Sequence, residues 1–266
     1  MALAERAELL GLDFERSRMP AVVDRCLEWC RQARRRSHIV ITANASHLCM
    51  MRHDAVLREA CQAGDMSVAD GMSVVWALRA LGRPVPERVA GIDLMTNLLA
   101  AGGREQMRVY FLGAKQEVID ALVRICAERY PGLVIAGTRN GYFKAAESEA
   151  IVNEIRACEP HMLFVGMPSP FKETWCQRHR DRLNVPLIIG VGGSFDVIAE
   201  GISGLPPDIR DSIARGVNRE LERALGRVAD ESDRTTRALG RSAELADSRK
   251  LREDLNRRAL TDALRR

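Results

Sequence analysis

His38-Ile-Val-Ile-Thr-Ala-Asn-Ala-Ser-His47 begins as an apolar run, ends on Thr42 and Asn44, and turns at once into a helical pattern. That order, an apolar run and then a longer amphipathic stretch, recurs along the chain. Strands are expected at 38–43, 107–113, 133–137, 162–166 and 186–193. Helices are expected near 21–35, 46–62, 72–81, 94–101, 117–129, 147–158 and 172–183. Such alternation is the mark of βα units, so an α/β fold is expected: a Rossmann-like, mostly parallel sheet flanked by helices. Several apolar runs stop at Gly, Asn, Asp or Ser, and in open sheets of this kind the strand ends form the ligand crevice. No internal repeat is evident.

Composition agrees with this class. Of 266 residues, 46% are hydrophobic and 29% charged, enough apolar material for a sizeable core and too much for wholesale disorder. A net charge of +4 falls short of a dedicated nucleic-acid binder, so nucleic acid is excluded as a partner. No 18-residue apolar run marks a transmembrane helix. Glu5, Arg6 and Glu8 occupy the place where a secretion signal needs apolar residues, so export is not expected. Seven cysteines without a CxxC pair suit a reduced, cytoplasmic protein in which thiols pack as small hydrophobes.

The texture changes near residue 204, so two segments are expected: a core over 1–203 and a charged C-terminal tail over 204–266. Residues 203–266 hold 15 Arg plus Lys and 12 Asp plus Glu, with no aromatic residue after Phe195. Near-balanced charge of this kind fits a solvated helical or partly disordered tail.

Candidate chemistry gathers at the expected strand ends. Thr42 and Asn44 offer a hydroxyl and an amide for sugar or phosphate oxygens, although Asn44 or Ser46 could equally cap the following helix. Asp70, before Gly71, is either a helix cap or a general base in a crevice that the glycine opens. Arg88 can grip phosphate bidentately, while Gly91 and Asp93 follow in the same loop. Gly190-Val-Gly-Gly-Ser-Phe-Asp196 brings Gly192 and Gly193 to a turn suited to a pyrophosphate, and Gly113 ends another run. GxxxxGK[ST], HExxH, GxSxG and Asp-x-Asp motifs are all missing. The i, i+6 spacing of His47 and His53 puts them on different faces of a helix, so no metal site is expected.

Together, Thr42-Ala-Asn44, Ala69-Asp-Gly71, Arg88-Val-Ala-Gly-Ile-Asp93, Phe111-Leu-Gly113, Gly141-Tyr-Phe143, Phe164-Val-Gly-Met-Pro-Ser-Pro170 with Glu173, and the Gly190–Asp196 segment resemble one family. It is the WecG/TagA/CpsF glycosyltransferases, and the likeness covers roughly residues 10–200. The wording around Asp70, Arg88 and Asn140 is most similar to the branch that transfers N-acetylmannosaminuronic acid; other branches use N-acetylmannosamine or glucose.

The resemblance implies an inverting hexosyltransferase of cell-surface polysaccharide or antigen assembly. A UDP-sugar would be its donor substrate and a polyprenyl-diphosphate-linked saccharide its acceptor. No cofactor or metal is implied. Peripheral contact with the inner face of the cell membrane and self-association are further expectations. Asp70 would be the base, with Thr42 beside it. Asn44, Gly71, Arg88, Gly91, Asp93, Gly113, Gly166, Ser169, Lys172, Glu173, Gly192, Gly193 and Asp196 would bind substrate.

Two departures stand out. Where the family reads Gly-Ser-Pro-Lys-Gln-Glu, this chain has Pro168-Ser-Pro-Phe-Lys-Glu173, so Lys172 stands one position beyond the lost cation and about 100° further round a helix. After residue 200 the family's Arg-Ala-Pro and aromatic, basic tail are replaced, either by divergence or by a reading-frame shift. Two alternatives therefore accompany the transferase reading: a catalytically impaired homologue, and a UDP-sugar-binding module with an interaction tail.

Overall fold

The computed structural model describes residues 7–33 and 36–200. The expected boundary at 203/204 and the charged stretch beyond it lie outside the described residues. In chain order the elements are β1 (Ala7–Leu9), β2 (Leu12–Phe14), α1 (Met19–Arg31), β3 (His38–Ala43), α2 (Ala45–His53), α3 (Ala55–Gln62), β4 (Met66–Ala69) and α4 (Met72–Ala80). There follow α5 (Gly91–Arg104), β5 (Arg108–Gly113), α6 (Gln116–Arg129), β6 (Val134–Arg139), α7 (Ser148–Ala157), β7 (Met162–Gly166), α8 (Phe171–Leu183), β8 (Leu187–Gly190) and α9 (Ser194–Ala199).

Strands β3 to β8 form one parallel sheet in the order β4-β3-β8-β7-β5-β6. Every residue of β3 and β7 is buried, as expected of strands with helices on both faces. Alternate side chains of β3 feed two separate cores. Ile39, Ile41 and Ala43 belong to one core together with residues of α2, α3, α4, α7 and α8, whereas Val40 belongs to the other, with residues of α1, α5, α6 and α9. The expected α/β architecture is thus the observed one.

Several boundaries differ from the sequence reading for local reasons. The expected helix over 46–62 is two helices, because Asp54 adopts an extended conformation and its carboxylate accepts the Leu57 N–H at 2.9 Å, starting α3 afresh. Strand β4 was not anticipated: four residues with a serine in the middle give little periodicity to read. The β1–β2 hairpin was also unread. Its turn is Leu10-Gly11, both at positive φ, and Glu15 N–H ties the segment to the Ser67 carbonyl of β4 at 2.8 Å.

Candidate active site

Strand β3 leads into α2 on one face of the sheet, while its neighbour β8 leads into α9 on the other. Where outgoing connections diverge in this way, a crevice opens beyond the carboxyl ends of the strands. A cleft of about 440 Å³ occupies that place. Its wall includes Thr42, Asn44 and His47 from β3 and α2, Asp70 after β4, Ser169 and Lys172 at the start of α8, and Gly192 and Gly193 after β8.

Thr42 donates its hydroxyl hydrogen bond to the Gly190 carbonyl at 2.9 Å, joining the two strands that frame the cleft. Asn44 is a helix cap: its side-chain oxygen accepts the His47 N–H at 3.0 Å, and the same residue lines the cleft. Asp70 is different. Gly71, at φ +143°, is the N-cap of α4 and offers no side chain, so the Asp70 carboxylate does not cap that helix. It accepts the backbone N–H of Gly91 instead. A Cβ on Gly91 would fall 3.3 Å from Thr42 Oγ1 and 3.4 Å from Asp70 Oδ2, so its lack of a side chain lets the start of α5 close onto both residues. Burial pushes the Asp70 pKa up, against the opposing pull of the Gly91 N–H and the Arg88 guanidinium.

Other expected site residues lie beside the cleft rather than on its wall. Arg88 and Asp93 pair with each other at 3.1 Å on the surface, where both still act on Asp70 through space. Gly113 and Gly166 end the adjacent strands β5 and β7. The Ala114 N–H donates to the Gly166 carbonyl at 2.9 Å, and a Cβ on Gly166 would strike the Phe195 ring at 2.5 Å. Gly113 thus allows close approach of the Gly166 backbone, and Gly166 that of the Phe195 ring. Asp196 occupies the first turn of α9, outside the lining.

The α8 end of the cleft carries a buried polar cluster. Lys172 Nζ donates to Ser169 Oγ and to Glu173 Oε1, and the Ser169 hydroxyl donates to that same carboxylate oxygen at 2.9 Å. His47 Nε2 lies 3.2 Å from it. Burial lowers the His47 pKa, against the opposing pull of the Glu173 carboxylate and of a hydrogen bond to the Thr42 backbone. Phe171, at the family's lysine position, packs edge-on against Phe143 with ring centres 5.9 Å apart. His47 was missed by sequence reasoning, because its partner Glu173 is 126 positions away and no spacing rule links them. Ser46, Met50, Ile92, Val191, Ser194 and Val197 also line the cleft unforeseen. Among the described residues, no three His, Cys, Asp or Glu side chains form a metal-binding group, and no helix is long and apolar enough to cross a membrane.

Comparison with known proteins bears on this geometry. The family model described as the glycosyl transferase WecG/TagA/CpsF family matches residues 7–213. A Bacillus spizizenii protein named N-acetylglucosaminyldiphosphoundecaprenol N-acetyl-beta-D-mannosaminyltransferase is 31% identical over 199 residues, covering 73% of this chain and 75% of its own. A Staphylococcus aureus protein of the same name is 32% identical over 195 residues, covering 73% and 76% respectively.

Proposed function

Because this chain belongs to the WecG/TagA/CpsF family of glycosyl transferases, and so is a glycosyltransferase, we propose that it moves a sugar from a UDP-sugar to a polyprenyl-diphosphate-linked saccharide with inversion at the anomeric carbon. The observation that carries this reading is Asp70. Its carboxylate lines the cleft, is not used as a helix cap, and sits at the same glycine contact as Thr42.

In this mechanism an acceptor hydroxyl attacks the anomeric carbon while Asp70 takes its proton. The new carbon–oxygen bond forms as the bond from that carbon to the diphosphate breaks. The bonding electron pair leaves with UDP, and the proton stays on Asp70. Thr42 would orient the hydroxyl or the reacting sugar, with Asn44, Gly192 and Gly193 along the rest of the wall. A raised Asp70 pKa suits this work, since a stronger base takes the proton more readily.

The names of both relatives favour an N-acetylmannosamine-type donor and an N-acetylglucosaminyl-diphosphate lipid acceptor. The wording around Asp70 and Arg88 adds the uronic acid form to the candidates. A lipid-linked acceptor would bring the protein to a membrane surface. We further propose that no metal takes part: an Asp-x-Asp handle is missing, and Asp70 is the one Asp or Glu on the described cleft wall.

The test is UDP release by the purified chain with UDP-N-acetylmannosamine, its uronic acid form or UDP-glucose, each with a short-chain N-acetylglucosaminyl-diphosphate lipid. Release that requires both donor and acceptor, and survives excess chelator, is expected. Release that is acceptor-independent, or restored only by Mg²⁺ or Mn²⁺ after chelation, contradicts the proposal.

A further inference from the structure

Lys172 is the one Lys or Arg on the described wall of the cleft. Its setting is built. The residue is only 6% exposed, and its stem runs across Gly190, where a Cβ would fall 3.0 Å from Cε and 3.1 Å from Cδ. Phe171, one position earlier, turns to Phe143, so this stretch of helix delivers Lys172 inward in its place. An ammonium buried alone would tend to shed its proton. Here Glu173 lies against it as counter-ion, with Ser169 bonded to both. His47 approaches the same Glu173 oxygen from α2, and the second oxygen, Oε2, is buried without a partner. Glu173 is thereby held from a second element, and the ammonium with it.

Resting on the glycosyl-transfer reading, we propose that Lys172 contacts the donor diphosphate and takes up the negative charge that develops there as the sugar–oxygen bond breaks, with Glu173 and His47 as positioning residues that hold its ammonium at the cleft. Fixed charge aimed at a leaving group stabilises the transition state without reorganisation during the reaction. The substituted motif therefore supplies from α8 a cation at the very step where transfer without metal needs one.

Calorimetry on the full chain with UDP and with uridine separates this role from general damage, because only UDP carries the diphosphate. Lys172→Met is expected to weaken UDP binding about tenfold or more, the scale of a hydrogen bond to a charged group, and to leave uridine binding unchanged. Gly190→Ala should do the same by displacing the stem, and Lys172→Arg should retain most of the affinity. Glu173→Gln, which removes the counter-ion, and His47→Gln, which removes the second hold on Glu173, should each weaken UDP binding but not that of uridine. UDP affinity unchanged in both Lys172→Met and Gly190→Ala, or falling equally with that of uridine, overturns the assignment. If Lys172→Met does not fold, Gly190→Ala decides. If the parent protein binds no UDP, the glycosyl-transfer reading falls, and this assignment with it.

Discussion

Asn44 and Asp70 both stand just before a helix, and in sequence each has the same two readings, cap or chemistry. The structure separates them by one residue. Asn44 is itself the N-cap of α2, whereas Gly71 takes that place before α4 and leaves the Asp70 carboxylate to the cleft. Asp70→Asn keeps the size of the side chain and removes the base, so turnover should drop by about 10²–10⁴-fold while melting temperature and UDP affinity stay near those of the parent. Unchanged turnover would refute the role. Burial also predicts a pH signature. A base works only when deprotonated, so kcat/KM must decline as pH falls through the Asp70 pKa, and a raised pKa places that decline above the ordinary carboxylate value of about 4. A profile that stays flat down to pH 4 contradicts the assignment.

Elements, more than single residues, decided what could be foreseen. β3 and β7 were legible to the residue because uninterrupted apolar runs between turn signals leave little choice. β4 and the six-residue α9 were not, being too short to show a period. Nor was the Lys172–Glu173–His47 cluster, since it forms only when α2 and α8 meet on one face of the sheet. Gly166 shows the converse. Beside the substrate-binding role that the resemblance implies, the end of β7 needs this glycine because the Phe195 ring of α9 lies where a side chain would go. Gly166→Ala should therefore cost about 1–3 kcal/mol in a denaturant titration, the usual price of overpacking a core. Undiminished stability would show that α9 can move away, and that its packing against β7 is loose.

For the whole molecule, the sheet order matters most. It sets β3 beside β8, with helices leaving them on opposite faces, and so places Thr42, Asp70, Lys172 and the Gly192–Gly193 turn around one space. Nothing in the linear spacing of these residues encodes that order. We propose that residues 204–266 are not needed for this framework, because their sequence has no aromatic residue and a near balance of acidic and basic side chains, which leaves few large groups to bury in a core. A chain ending near Gly201 should then melt within a few degrees of the full chain, and loss of cooperative melting would show the tail to be an integral part of the fold. The central claim is transfer at the Asp70 cleft. It is tested most directly by mass spectrometry of a short-chain N-acetylglucosaminyl-diphosphate lipid incubated with UDP-N-acetylmannosamine, or its uronic acid form, and either the parent protein or Asp70→Asn. One added sugar with the parent and little or none with the variant is the predicted result; an unmodified lipid with the parent, or equal conversion by both proteins, would contradict it.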